Sequence, residues 1–90
     1  MPEITRFFGI IIRMYGESGE RHSVPHLHAY YPEYPVVYGI YPVVCLAGSL
    51  PRRQRRLLEA WMELHQKALA KNWELIDNGD PVKSLPPLRR

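Results

Sequence analysis

The sequence predicts an α+β fold, a small antiparallel sheet of about four strands in a meander, packed against a long C-terminal helix or helix pair. Two observations carry this. Up to residue 48 the chain is rich in β-branched and aromatic residues and is punctuated by Gly and Pro, which suits strands and tight turns. From Pro51 to Asn78 the period changes: Leu58, Trp61, Met62, His65, Leu69, Trp73 and Ile76 recur at steps of three and four, as on one side of a helix. Ninety residues, 46% of them hydrophobic, suit one domain with a modest core. Its expected extent is residues 1–80, with 81–90 as a proline-rich extended tail.

Residues 3–15 read as the first strand, apolar on both faces, with a bulge at Gly9. Residues 16–23, GESGERHS, are a polar loop. Residues 24–31 form the second strand, PEYP at 32–35 the turn, residues 35–41 the third strand and VVCLAG at 43–48 the fourth. Short connections favour antiparallel neighbours. Pro51 suits the first helical position, which leaves Leu50 as a poor cap. Asn78-Gly79 with Pro81 beyond is a stop signal. One straight rod over 51–78 would be about 40 Å long, so the segment is expected to bend near His65-Gln66 or to pack on another chain. The tail, with three prolines, is expected to be extended and mobile.

The stretch VPHLHAYYPEYP, residues 24–35, concentrates the chemistry. In a strand, side chains two apart share a face, so His26, His28 and Tyr30 form one row and Leu27, Ala29 and Tyr31 the other. One row is titratable; the other is apolar.

Charge is uneven. Residues 1–50 carry three Arg against four Glu, while residues 51–90 carry nine Lys or Arg against five Asp or Glu. The basic surplus in the second half hints at an anionic partner. The single cysteine, Cys45, excludes an internal disulfide and reads as a buried, inert thiol. No apolar run is long enough to span a bilayer, and the start lacks the marks of a signal peptide. A cytoplasmic protein without a membrane partner is the expectation.

Three constellations could carry function. In the first, His26, His28 and Tyr30 are catalytic residues of a metal-independent ribonuclease. Histidine suits acid and base roles near neutral pH, tyrosine stacks on a base, and Arg13 or an arginine of the 52–56 cluster stabilises the phosphorane. In the second, His26, His28 and His65 hold zinc, with His22 as a further ligand. No HExxH, CxxC or adjacent carboxylate supports that spacing, and no cofactor is the primary expectation. In the third, Arg13, Arg52, Arg53, Arg55 and Arg56 bind nucleic acid. Arginines in a first helical turn oppose the helix dipole, and a bound phosphate relieves this. The bland alternatives are a half-exposed polar strand face and a solvated helix face in which Glu59 pairs back to Arg55 or Arg56. Trp61 and Trp73 read as core.

The opening MPEITRFFGIIIRMY, the PHLHAYY motif, the GSLPRR start of the helix and its AWMELHQKALAKNWEL core resemble a bacterial domain-of-unknown-function family of short proteins with a Pro-His-x-His motif. The resemblance covers roughly residues 1–80. Members are often encoded beside another small domain of unknown function, and such pairs have been suspected of being toxin–antitoxin modules. It implies a fold and a context, but no mechanism. The expected function is therefore a toxin–antitoxin component that acts on or binds RNA or DNA and has a small cognate protein partner. The alternatives are a protein-interaction module, dimerising through the long helix, and a metal-dependent enzyme.

Overall fold

The first apolar run folds back on itself. In the computed structural model, which describes residues 3–16 and 24–89, β1 (Glu3–Phe7) and β2 (Ile10–Arg13) form a hairpin with Phe7 opposite Ile10. Its two-residue turn has Phe8 at φ 48° and Gly9 at φ 81°, the left-handed pair that matches strand twist. The expected single strand with a bulge at Gly9 is thus corrected to two strands and a turn. Glycine supplies one left-handed residue at no steric cost. Phe8, which bears such a cost, has its ring under the Arg53 guanidinium (5.6 Å) and edge-on to Phe7 (6.3 Å).

The remaining strands are β3 (His26–Tyr31), β4 (Tyr34–Ile40) and β5 (Val43–Ala47). All neighbours are antiparallel, in the order β1-β2-β3-β4-β5. This is the expected meander, with five strands because the first run supplied two. One face of the sheet carries Phe7, Ile10, Ile12, Leu27, Ala29, Val36, Tyr38 and Ile40, all buried.

Helices α1 (Arg52–Leu64) and α2 (Gln66–Asp77) cover that face with buried Leu58, Trp61, Met62, Leu69 and Trp73. The helical segment breaks at His65, where a bend was expected. There the Gln66 side-chain amide donates to the Ile40 carbonyl (2.9 Å) and fixes the break against the end of β4. Pro51 is the residue before the first turn and makes no side-chain cap. At the far end Gly79 N–H donates to Ile76 O (3.0 Å) and Asp80 N–H to Leu75 O (2.8 Å). With Gly79 at φ 76°, this is the glycine-closed helix end that the Asn-Gly pair predicts.

Two expectations are reversed. Cys45 is exposed, not buried, because β5 is the sheet edge and the helices do not shield it. The tail has no helix or strand, yet it is tied down. Leu85 N–H donates to Ile4 O (3.1 Å), and the Trp61 indole N–H donates to Pro86 O (2.8 Å). The buried Asn72 amide makes two bonds to the Lys83 backbone (2.9 and 3.0 Å). Val82, Leu85 and Leu88 pack against the core. No helix among the described residues is long and apolar enough to cross a membrane.

Candidate functional site

The sheet's second face carries the titratable row. Register places Arg13 opposite His28 and Ile11 opposite Tyr30 on β2–β3, and Val37 opposite His28 on β3–β4. These five side chains are all half-buried, whereas Ile12, Leu27, Ala29 and Tyr38 on the helix-covered face are buried. Strand alternation alone produces the division.

On this face the rings form a short ladder. Tyr15 lies on His28 with centroids 4.5 Å apart and planes 14° off parallel. His28 and Tyr30 are 6.5 Å apart, again 14° off parallel. The Tyr15 and Tyr30 hydroxyls approach to 3.3 Å. The Arg13 guanidinium carbon lies 5.8 Å from the Tyr30 ring centre, within cation–π range. Beside Tyr30 opens a hollow of about 510 Å³ with mostly apolar walls from Ile11, Tyr31, Pro32 and Pro35, and Glu33 at the hairpin tip. Glu33 is held at φ 66°, unusual for a residue with a β-carbon.

His26 continues the row but is only 7% exposed. Its Nδ1–H donates to the Val24 carbonyl (2.8 Å); a carbonyl can only accept, so that nitrogen carries the proton. The ring is 5.4 Å from His28 and 4.9 Å from Trp73 of α2. It anchors the start of β3 and props His28.

The structure thus brings together His26, His28, Tyr30 and Arg13. Tyr15 joins them and was missed from sequence. The signal for it was available: it follows Arg13 by two residues and so continues the same strand face.

The other candidates lie elsewhere. His65 sits at the helix break, 5.0 Å from the Trp61 ring. Among the described residues no three of His, Cys, Asp or Glu gather as metal ligands; the set His26, His28 and His65 does not fit zinc, and His22 lies outside the described residues. Arg52, Arg53, Arg55 and Arg56 are exposed at the start of α1, in the layer that covers the opposite face of the sheet. Of these, Arg53 reaches the Phe8 ring at the β1–β2 turn, next to Gly9, which lines the hollow beside Tyr30. Glu59, expected to pair back along the helix, accepts a hydrogen bond from the Tyr38 hydroxyl (2.7 Å). Burial first, and then this bond to a carboxylate, push the Tyr38 phenol well above its ordinary range. On β1 the Arg6–Glu3 pair (2.7 Å) holds the Glu3 carboxyl below its usual value.

Fold and face define a small α+β domain with one helix-covered sheet face and one face that carries the Tyr15, His28 and Tyr30 rings with Arg13. The chain belongs to the family Domain of unknown function (DUF4160), which it matches over residues 9–74. The match runs from the β1–β2 turn to near the end of α2, and it upholds the resemblance to a domain-of-unknown-function family. No curated protein and no solved structure matches the chain.

Proposed function

We propose that this protein binds single-stranded nucleic acid, RNA foremost, across the open face of its sheet, as one component of a toxin–antitoxin-type pair. The single observation that supports the binding is the Tyr15–His28–Tyr30 ladder with Arg13 over Tyr30. Unpaired bases stack on aromatic rings whatever their sequence, at about 1–3 kcal/mol per base. Tyr15 and His28 already stack on each other, so a base meets the ladder on the Tyr30–Tyr31 side, where Arg13 supplies a cation for the backbone phosphate. The hollow beside Tyr30 has walls that suit an extruded base. The arginines of α1 raise the on-rate through their field and do not touch the stacked bases. The toxin–antitoxin context rests on the family resemblance.

Binding is a better fit to the geometry than cleavage. Of the two imidazoles proposed as acid and base, His26 is wedged between Trp73 and His28. A ribonuclease step would run through His28, Tyr30 and Arg13.

The test is fluorescence anisotropy with short single-stranded RNA at several salt concentrations. Tyr30→Ala should weaken binding by roughly tenfold, about 1–2 kcal/mol. Arg13→Ala should weaken it and flatten the salt dependence by about one phosphate. Arg52→Ala with Arg56→Ala should change equilibrium affinity little. If the helix double variant abolishes binding and the sheet variants do not, the wrong face has been chosen. No salt-dependent RNA binding at all removes the reading.

A further inference from the structure

We propose that β5 is an interface between two copies of this chain, which pair edge to edge and antiparallel into one ten-stranded sheet. This does not rest on the RNA reading. It starts from the two edges of the sheet, which are treated differently. The β1 edge carries Glu3 and Arg6 and receives the tail through the Leu85–Ile4 backbone bond. The β5 edge ends the strand order. Val44 (45%) and Leu46 (47%) are exposed on it, and Tyr41 (75%) stands in the turn just before it.

Edge strands normally carry a charge or a proline that discourages pairing. β5, VVCLA, carries neither. Residues 34–51, which include both β4 and β5, contain no charged residue at all. No side chain of β5 or of its neighbour β4 therefore brings a charge to this edge; the nearest basic residues are those of α1, on the helix side of the sheet. The apolar sides of both helices are already buried within one chain. The other exposed large apolar side chains among the described residues, Val24, Tyr34 and Leu64, lie in separate segments, whereas Tyr41, Val44 and Leu46 fall together on β5 and the turn before it.

The occupant is a second copy because β5 is self-complementary and the other edge is taken. A head-to-tail contact of β5 with β1 would build an open-ended array, and the tail obstructs it. Two β5 strands form a closed, two-fold pair. Val43, Val44 and Cys45 keep regular register with β4, opposite Ile40, Gly39 and Tyr38. The register slips beyond Cys45, at Leu46. Leu46 turns to the same side as Val44, where a β-carbon on Gly39 would touch both. Antiparallel pairing over Val43–Cys45 then sets each Leu46 beside the partner strand's turn. The two-fold axis is perpendicular to the sheet, so both open faces lie on one side and both helix pairs on the other. Each Cys45 falls close to that axis. Even diagonal neighbours across an antiparallel pair are only about 7–8 Å apart.

Sedimentation velocity or light scattering over roughly 1–500 μM, where mass action moves a dimer, should show passage from 10.5 kDa towards twice that mass. Leu46→Lys, and separately Val44→Lys, should hold the protein at the single-chain mass with unchanged circular dichroism; both side chains are exposed, so neither substitution opens the core. A short bismaleimide should link two wild-type chains through Cys45. Cys45→Ser should lose the link and keep the dimer, and Tyr30→Ala should leave the mass unchanged. A single-chain mass at every concentration overturns the proposal. So does a dimer indifferent to both lysines, or one that Cys45 does not cross-link. A monomer that captures an added strand peptide assigns the edge to another partner and also refutes it.

Discussion

Asn72→Ala tests whether the last residues belong to the fold. Asn72 is 2% exposed, and its side chain meets Lys83 as a neighbouring strand would: Nδ2 donates to the Lys83 carbonyl at 2.9 Å and Oδ1 accepts its N–H at 3.0 Å. Each such bond contributes about 1 kcal/mol net, so truncation to alanine should cost about 2 kcal/mol. If the tail then lifts, the Trp61 indole loses its Pro86 acceptor, and Val82, Leu85 and Leu88 lose their contacts. A domain of this size has about 5–10 kcal/mol in total, and 1 kcal/mol shifts its melting midpoint by about 4–8 °C. The variant should therefore melt about 8–16 °C lower. Urea denaturation followed by tryptophan fluorescence separates two outcomes. A tail still docked leaves the m-value unchanged; a tail detached in the native state lowers it, because less surface remains to expose. Truncation after Asp80 should lower both m and the midpoint by more than Asn72→Ala does. A loss below about 0.5 kcal/mol in both variants would refute the claim that this segment is structural.

Tyr38→Phe probes the buried phenol. The unfolded tyrosine ionises near pH 10, while the folded one holds its proton to higher pH. Above that point the folded state therefore binds more protons, and stability falls as pH rises. Urea midpoints at about pH 8 and about pH 11 should show a smaller drop for Tyr38→Phe than for wild type; equal drops would exclude Tyr38 as the cause. At neutral pH the loss of the bond to Glu59 should cost about 1.5–3 kcal/mol. Gly48→Ala and Gly79→Ala make a contrasting pair. Both glycines have positive φ, 79° and 76°, but a β-carbon at Gly48 would collide with the Pro35 carbonyl oxygen, whereas nothing lies near Gly79. Thermal melts should place Gly79→Ala about 1 kcal/mol down, from backbone strain alone. Gly48→Ala should cost clearly more, and equal losses would contradict the close approach of β5's end to β4.

Periodicity reached a long way into this chain. The alternation HLHAYY sorted the half-buried His28 and Tyr30 from the buried Leu27 and Ala29; at the strand's ends the division fails, since His26 is buried against Trp73 and Tyr31 is half-buried beside Tyr30. The helical recurrence named Leu58, Trp61, Leu69 and Trp73, all buried against the sheet. The Asn78-Gly79 stop and the break at His65 followed from local chemistry and from the length of rod a small domain can cover. The Phe8-Gly9 reversal was hidden because a hairpin and a two-sided central strand look alike when every neighbour is apolar.

What the linear pattern determined is the local conformation of each segment and which side chains share a face, since those depend on bonded geometry and near neighbours. Tertiary packing decided which face the helices cover, that β5 with Cys45 is left at an open edge, that the tail runs back to Ile4, Trp61 and Asn72, and that the α1 arginines sit across the sheet from the His-Tyr row. These outcomes follow from how separated segments compete to bury apolar area and satisfy backbone groups together. That competition is settled between residues distant in the chain, and no short stretch carries its result.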